Sequence, residues 1–372
     1  MCDGGWRIGH TRLMQSGSIR KWLLALTLLA VILWTIVHFY NQSAQNSGNI
    51  TRIIVEPGGD FAYHKTNSSA AKPQESAAGA EKNPRQSVED WLTLNHRSAA
   101  SLLAAFHVLD DTNYLTEAAT NFPDNPQVEW TILARNVFPA DRRRWLELFK
   151  TSSPSNSLPD YLSAQAYFRN SQPEAAVKDL VAATDKPDFE TYTVESQLDT
   201  EELCQFLGKS TLAASESVSS PMGDLLQTLA TIKQLASQMT DLQKQELNAG
   251  DTASAENLAQ MGTILGDQLD SDDNGKYIVN QLAGTDIETL VLQQLDPNTS
   301  CDFLDGETPA QRLQELRQQS SVLAQLDKSF DALEPSLTDA EKISFEERTK
   351  IYGEITAMRW LLQLHGNPQN GQ

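Results

Sequence analysis

Residues 156–188 read NSLPDYLSAQAYFRNSQPEAAVKDLVAATDKPD. Ser153-Pro154-Ser155-Asn156-Ser157 stops one helix and supplies polar N-cap candidates for another that opens near Leu158. Ala164 and Tyr167 fall on that first helix, and Asn170 to Pro173 reads as a turn. Ala176, Leu180 and Ala183 then recur at spacings of four and three, which is one face of a second helix. The stretch therefore predicts a helix, a tight turn and a helix.

The same grammar appears one unit earlier. Phe122-Pro123-Asp124-Asn125-Pro126 precedes a helix starting near Gln127, and Phe138-Pro139-Ala140-Asp141 interrupts the pattern before a second one. Pro123 and Pro154 lie 31 residues apart. A period in the low thirties made of helix pairs predicts an α-solenoid. Farther upstream, Trp91, Leu92 and Leu94 begin a helix. Leu102, Leu103, Phe106 and Leu109 form a second apolar face, and Tyr114, Leu115, Ala118 and Ala119 a third. Strand-like alternation is absent from Val88 onward.

Residues 156–188 resemble a divergent tetratricopeptide repeat. Ala164 and Tyr167 match the small residue and the aromatic of its first helix; Ala176, Leu180 and Ala183 match the packing positions of its second; Pro187 matches its terminal proline. Residues 125–155 are a weaker copy through Trp130, Ala134, Trp145 and Pro154. The family's usual first-helix glycine is absent, so the likeness is to the superfamily. Such solenoids present a concave face of first helices to a protein or peptide ligand. The resemblance thus implies Gln127, Glu129, Arg135, Asp160, Ser163, Gln165 and Arg169 as groove residues, with Trp130, Ala134, Tyr161, Ala164 and Tyr167 as core.

Downstream, Phe189 to Val194 reads as a joint and Leu203 to Leu212 as a short helix. Leu225 to Leu247 is a long helix, Ala249-Gly250-Asp251 a turn in which Gly stops one helix and Asp caps the next, and Ala255 to Leu269 the return arm. Helices are further predicted over Tyr277–Leu295, Pro309–Leu333 and Thr338–Leu364, the last opened by the capping box Thr338-Asp339-Ala340-Glu341.

Upstream of the repeats, residues 22–40, WLLALTLLAVILWTIVHFY, contain no charge. As a helix they would span roughly 28 Å, the thickness of a bilayer core. Arg7, Arg12, Arg20 and Lys21 precede them and the ten following residues are uncharged, which predicts an N-terminus in the cytoplasm and the bulk of the chain in the periplasm. A cleaved signal peptide is the alternative; the long apolar run and Gln42, two before Ala44, favour an uncleaved signal-anchor. Residues 41–86 read as a disordered linker, with a stickier patch at Ile50 to Tyr63 that is otherwise a short strand pair or a docking peptide. The expected organisation is all-α: a cytoplasmic tail (1–21), a single transmembrane helix (22–40), the linker (41–86), tetratricopeptide-like repeats (87–195) and a C-terminal helical domain with longer hairpins (196–372).

The chain has 372 residues and a formal net charge of −20, with 49 acids against 29 bases. It lacks the basic stripe of a nucleic-acid binder; Arg142-Arg143-Arg144 is its one dense basic spot and reads as a solvated helix face. Cys2, Cys204 and Cys301 have no metal-ligand spacing, and Cys204 with Cys301 leaves a disulfide or two buried thiols open. Asp270-Ser271-Asp272-Asp273-Asn274-Gly275 matches the start of a calcium loop through Asp270, Asp272 and Asn274. Position twelve is Gln281 in place of the bidentate Glu, so an acidic turn between helices is the better reading. No pair of the six histidines has metal spacing; His96 and His107 would sit about 16 Å apart on one helix. No nucleophile-elbow, phosphate-loop or dinucleotide motif is present, and neither a catalytic residue nor a cofactor is expected. The expected function is a membrane-tethered helical-repeat scaffold for protein–protein interaction. The alternatives are a self-associating structural envelope protein, with a homo-oligomer as partner, and an enzyme with an unrecognised site in its C-terminal half.

Overall fold

The computed structural model describes residues 51–54, 62–65, 84–217, 219–271 and 277–366. Strand β1 (Thr51–Ile54) pairs with β2 (Ala62–Lys65) in a two-stranded sheet, so the patch read as sticky linker takes its strand-pair alternative. From residue 84 the described chain is helical apart from turns. Helices α1 (Pro84–Leu94), α2 (Ala99–Leu109) and α3 (Thr112–Asn121) lead into α4 (Pro126–Arg135), α5 (Arg142–Ser152), α6 (Leu158–Arg169) and α7 (Pro173–Thr184). Next come α8 (Thr193–Phe206), the short α9 (Thr211–Ser215), α10 (Ser219–Ala249), α11 (Thr252–Asp270) and α12 (Ile278–Leu292). Helices α13 (Pro309–Leu333), α14 (Asp339–Tyr352) and α15 (Glu354–Leu364) complete it. The all-α expectation holds for this region.

Local chemistry accounts for the boundaries. The side chain of Asn125 accepts from the Val128 N–H and Pro126 fills the first turn of α4, where its missing N–H has no cost. Gly250, at φ +83, ends α10, and Asp251 caps α11 by accepting from the Ser254 N–H. Thr338 and Glu341 close the capping box of α14. The helix expected over Thr338–Leu364 is broken in two by Gly353, at φ 87 and ψ 154, a conformation almost restricted to glycine. Gly208, at φ +85, likewise separates α8 from α9 inside the helix expected over Leu203–Leu212.

Helix α6 packs on α7, α4 on α5 and α2 on α3, giving three successive pairs. Asn156, fully buried, closes the last pair: its side-chain oxygen accepts from the N–H groups of Leu158 and Glu190, and its amide donates to the Glu190 carbonyl, each at 3.0 Å. One hydrophobic core runs from Val88 to Ile287 and crosses the expected boundary at 195/196 without interruption. Smaller clusters gather around Leu326, Phe330 and Leu361, and around Val291, Leu304 and Leu316. Cys204 and Cys301 are both buried free thiols.

Among the described residues no helix is long and apolar enough to cross a membrane. Helix α10 has the length, 31 residues, but carries Asp224, Lys233, Asp241, Lys244 and Glu246 along it. On that finding the placement as a single-pass protein with a cytoplasmic N-terminus and a periplasmic bulk is corrected and does not stand. Residues 22–40, on which it rested, lie outside the described residues, as do the tail before them and most of the linker.

Candidate functional site

The first helices of the three pairs, α2, α4 and α6, all pack against α10. Its apolar stripe, Leu225, Leu229, Ile232, Ala236 and Met239, has helical spacing and is fully buried. Trp130 of α4, also fully buried, donates its indole N–H to Thr228 of α10 at 3.1 Å. Helix α8 packs beside it, on α1, α2 and α10. The face where a solenoid would receive a ligand is occupied by helices of the same chain.

The seven groove candidates follow from this. Gln127 donates to Ser196 and Asp199 of α8, at 3.1 and 3.3 Å. Arg135 forms an ion pair with Asp224 and donates to the Ser220 hydroxyl at 2.6 Å. Gln165 is buried and donates to Gln234 of α10 at 3.4 Å. Glu129 is fully buried and accepts from Ser152; burial pushes its carboxyl up to about 7. Asp160 is buried between Lys150 at 3.0 Å and Lys186 at 2.5 Å. Ser163 donates to Asp179 and accepts from Arg143. Arg169 alone is exposed, and among the described residues it forms no ion pair. Helices α8 and α10 thus engage Gln127, Arg135 and Gln165, while α5, α7 and the turn after α7 engage Glu129, Asp160 and Ser163.

The best-formed polar cluster on this face includes residues that sequence reasoning did not single out. Buried Asp224 of α10 meets Arg135 of α4, and His107 of α2 lies 4.0 Å from Asp224 and 3.1 Å from the Ser220 hydroxyl. Burial pushes Asp224 up to about 7 against the opposing pull of Arg135, and burial with the Arg135 charge pushes His107 down to about 3. Serine and aspartate approach the same imidazole nitrogen, Nδ1, so the group lacks the relay geometry of a hydrolase triad. It anchors α10. A lone histidine near a helix end was legible; its partner on α10, over a hundred residues away, was not.

Of the calcium-loop candidates, Asp270 accepts from Gln319 at 2.9 Å, while Asp272 and Asn274 lie outside the described residues. No group of three His, Cys, Asp or Glu side chains among the described residues is arranged to hold a metal ion. No protein-family profile, curated protein or solved structure matches the chain.

Proposed function

We propose that this chain is a tetratricopeptide-like helical-repeat scaffold whose work is protein–protein interaction. The observation that carries the reading is the seating of α10: three successive first helices hold one long amphipathic helix along a common face. That is helix-in-groove recognition carried out within one chain. A ligand for the scaffold then meets its outward surface, formed by the second helices, where Glu174 and Lys178 of α7 are exposed.

Site-specific photo-crosslinking of the full chain in its native cells tests this. A photoreactive residue at Lys178 should capture one defined heterologous protein, and the same residue at the exposed Gln318 of α13 should not. Capture of a second copy of the chain at Lys178 would transfer the assignment to a self-associating structural protein. Absence of any crosslink from Lys178 would overturn the scaffold reading.

A further inference from the structure

Eight large apolar side chains are exposed among the described residues, and four of them, Leu198, Phe206, Ile351 and Tyr352, belong to α8 and the last turn of α14. The two helices are joined by an ion pair between Lys350 and Glu201, both buried. Gln205, one turn on, also donates to Glu201, at 3.2 Å. The short α9 packs on both helices. Their relative direction follows from the residues around the pair. The Tyr277 hydroxyl donates to Gln197, one turn before Glu201. The next residue, Ile278, donates its N–H to Glu354, one turn after Lys350, at 2.8 Å. Helix α14 therefore runs antiparallel to α8.

That direction decides which side chains share a face. At about 100° of turn per residue, the positions three before and one after a given residue lie about 60° and 100° round the helix from it, in the same sense. From Glu201 these are Leu198 and Glu202; from Lys350 they are Glu347 and Ile351. In antiparallel helices lying side by side, equal rotations from the line of contact lead to the same side. Leu198 and Ile351, 48% and 62% exposed, thus flank one groove, with exposed Glu202 and Glu347 beside them. Phe206, 45% exposed, lies one turn beyond Glu202, and exposed Glu195 one turn before Leu198. Tyr352, a further 100° or so round α14, leaves this side. Helix α8 carries four acids and no base, so the groove is apolar along its line and acidic at its rim.

We propose that this groove is a docking surface for a basic amphipathic helix of a partner protein. Leu198-Glu202-Phe206 and Glu347-Ile351 are two ridges at four-residue spacing, and a third helix fits the space between such ridges. Its apolar stripe would cover Leu198, Phe206 and Ile351, and its lysines or arginines would meet Glu195, Glu202 and Glu347. A second copy of the chain lacks this fit, since a two-fold contact would set these carboxylates against each other. The surface lies on α8 and α14, away from the second helices of the repeats, and is independent of the scaffold reading above.

Fluorescence anisotropy of the full chain with a labelled helical peptide of about four turns tests it. The peptide is built of leucine and lysine, with the leucines in one stripe. It should bind with a Kd below about 100 μM, and a counterpart with glutamate for lysine should bind at least about tenfold more weakly. Leu198→Asn with Ile351→Asn changes two exposed side chains, so circular dichroism should be unaltered, and the Kd should rise about tenfold or more. Glu202→Lys should raise it about fivefold, whereas Glu256→Lys, the same charge change on the exposed side of α11, should move it less than about twofold. Absence of binding, equal affinity for the acidic counterpart, or equal losses in Glu202→Lys and Glu256→Lys overturns the proposal. So does a dimer of the parent chain in sedimentation velocity that Leu198→Asn with Ile351→Asn dissociates, because the groove would then belong to a second copy.

Discussion

At the contact between α10 and α2, Asp224 and His107 titrate in opposite senses. Burial raises Asp224 from 3.8 to about 7, so between those values the folded state holds a proton that the unfolded chain releases. Its contribution to stability therefore grows as pH falls from 7 toward 4. Burial and Arg135 lower His107 from 6.5 to about 3, so in that window the unfolded chain binds a proton that the folded state refuses. Its contribution is full above 6.5 and shrinks as pH falls. From about 6.5 to about 4 the two slopes offset each other. Asp224→Asn keeps the shape of the side chain and removes only the carboxyl titration. Relative to the parent protein, the variant should lose about 1.4 kcal/mol of stability per pH unit across that window. Urea unfolding of both proteins at pH 7, 6 and 5 measures the difference. Because Glu129, Glu288 and Glu346 are also raised to about 7 and are common to both, they cancel in the comparison. A constant difference at all three pH values would refute the coupled cluster.

Helices α11 and α12 approach so closely that glycine is required on both. A Cβ at Gly284 would stand 2.6 Å from the Gly266 carbonyl oxygen, and one at Gly266 would stand 2.5 Å from Cγ of Glu288. At Gly262 the obstacles are both methyls of Val291, at 2.6 and 2.8 Å, with its Cβ at 3.2 Å, and a β-branched side chain inside a helix has little rotamer freedom to move away. Alanine gains about 1 kcal/mol in helix propensity over glycine, but overpacking costs about 1–3 kcal/mol and more against a rigid backbone. Gly284→Ala and Gly262→Ala should therefore each be net destabilising, by about 2 kcal/mol. Denaturant unfolding of the two variants measures the losses; no loss in either would mean that the helices slide apart at no cost. The sequence shows both helices through their apolar spacing, yet periodicity says nothing about interaxial distance, so this crossing was not legible. Gly353 was. A glycine within a helical pattern is a break signal, and it was read through because apolar residues at helical spacing continue on both sides of it, from Ile343 to Leu364. Capping chemistry at Asp251 and Thr338 was fully readable, because a cap is made by residues three apart.

The three helix pairs and the long helices α10, α11 and α12 share one core, and this is where the local signals end. The stripe on α10 announces an amphipathic helix, but a stripe of leucines fits any apolar groove, and nothing in its spacing names α2, α4 and α6 as its partners. The same gap explains the fate of the groove residues: their helices and faces were readable, and their occupation by α8 and α10 was not. Six large side chains of α10, Leu225, Leu226, Leu229, Ile232, Leu235 and Met239, are buried in that core. At about 1.5–3 kcal/mol each, their removal from water contributes about 9–18 kcal/mol, as much as the whole net stability of a typical domain. The three helix pairs are therefore expected to depend on α10 for a stable core. A fragment of residues 84–217, which keeps all three pairs and α8 but lacks α10, should have no cooperative thermal transition and should bind a hydrophobic dye. A fragment of residues 84–292, which restores α10 with α11 and α12, should melt cooperatively. Circular dichroism and calorimetry on the two decide the matter. A sharp transition in the shorter fragment would show that the first helices are stable with their common face open, and that face would again be available to a ligand from outside.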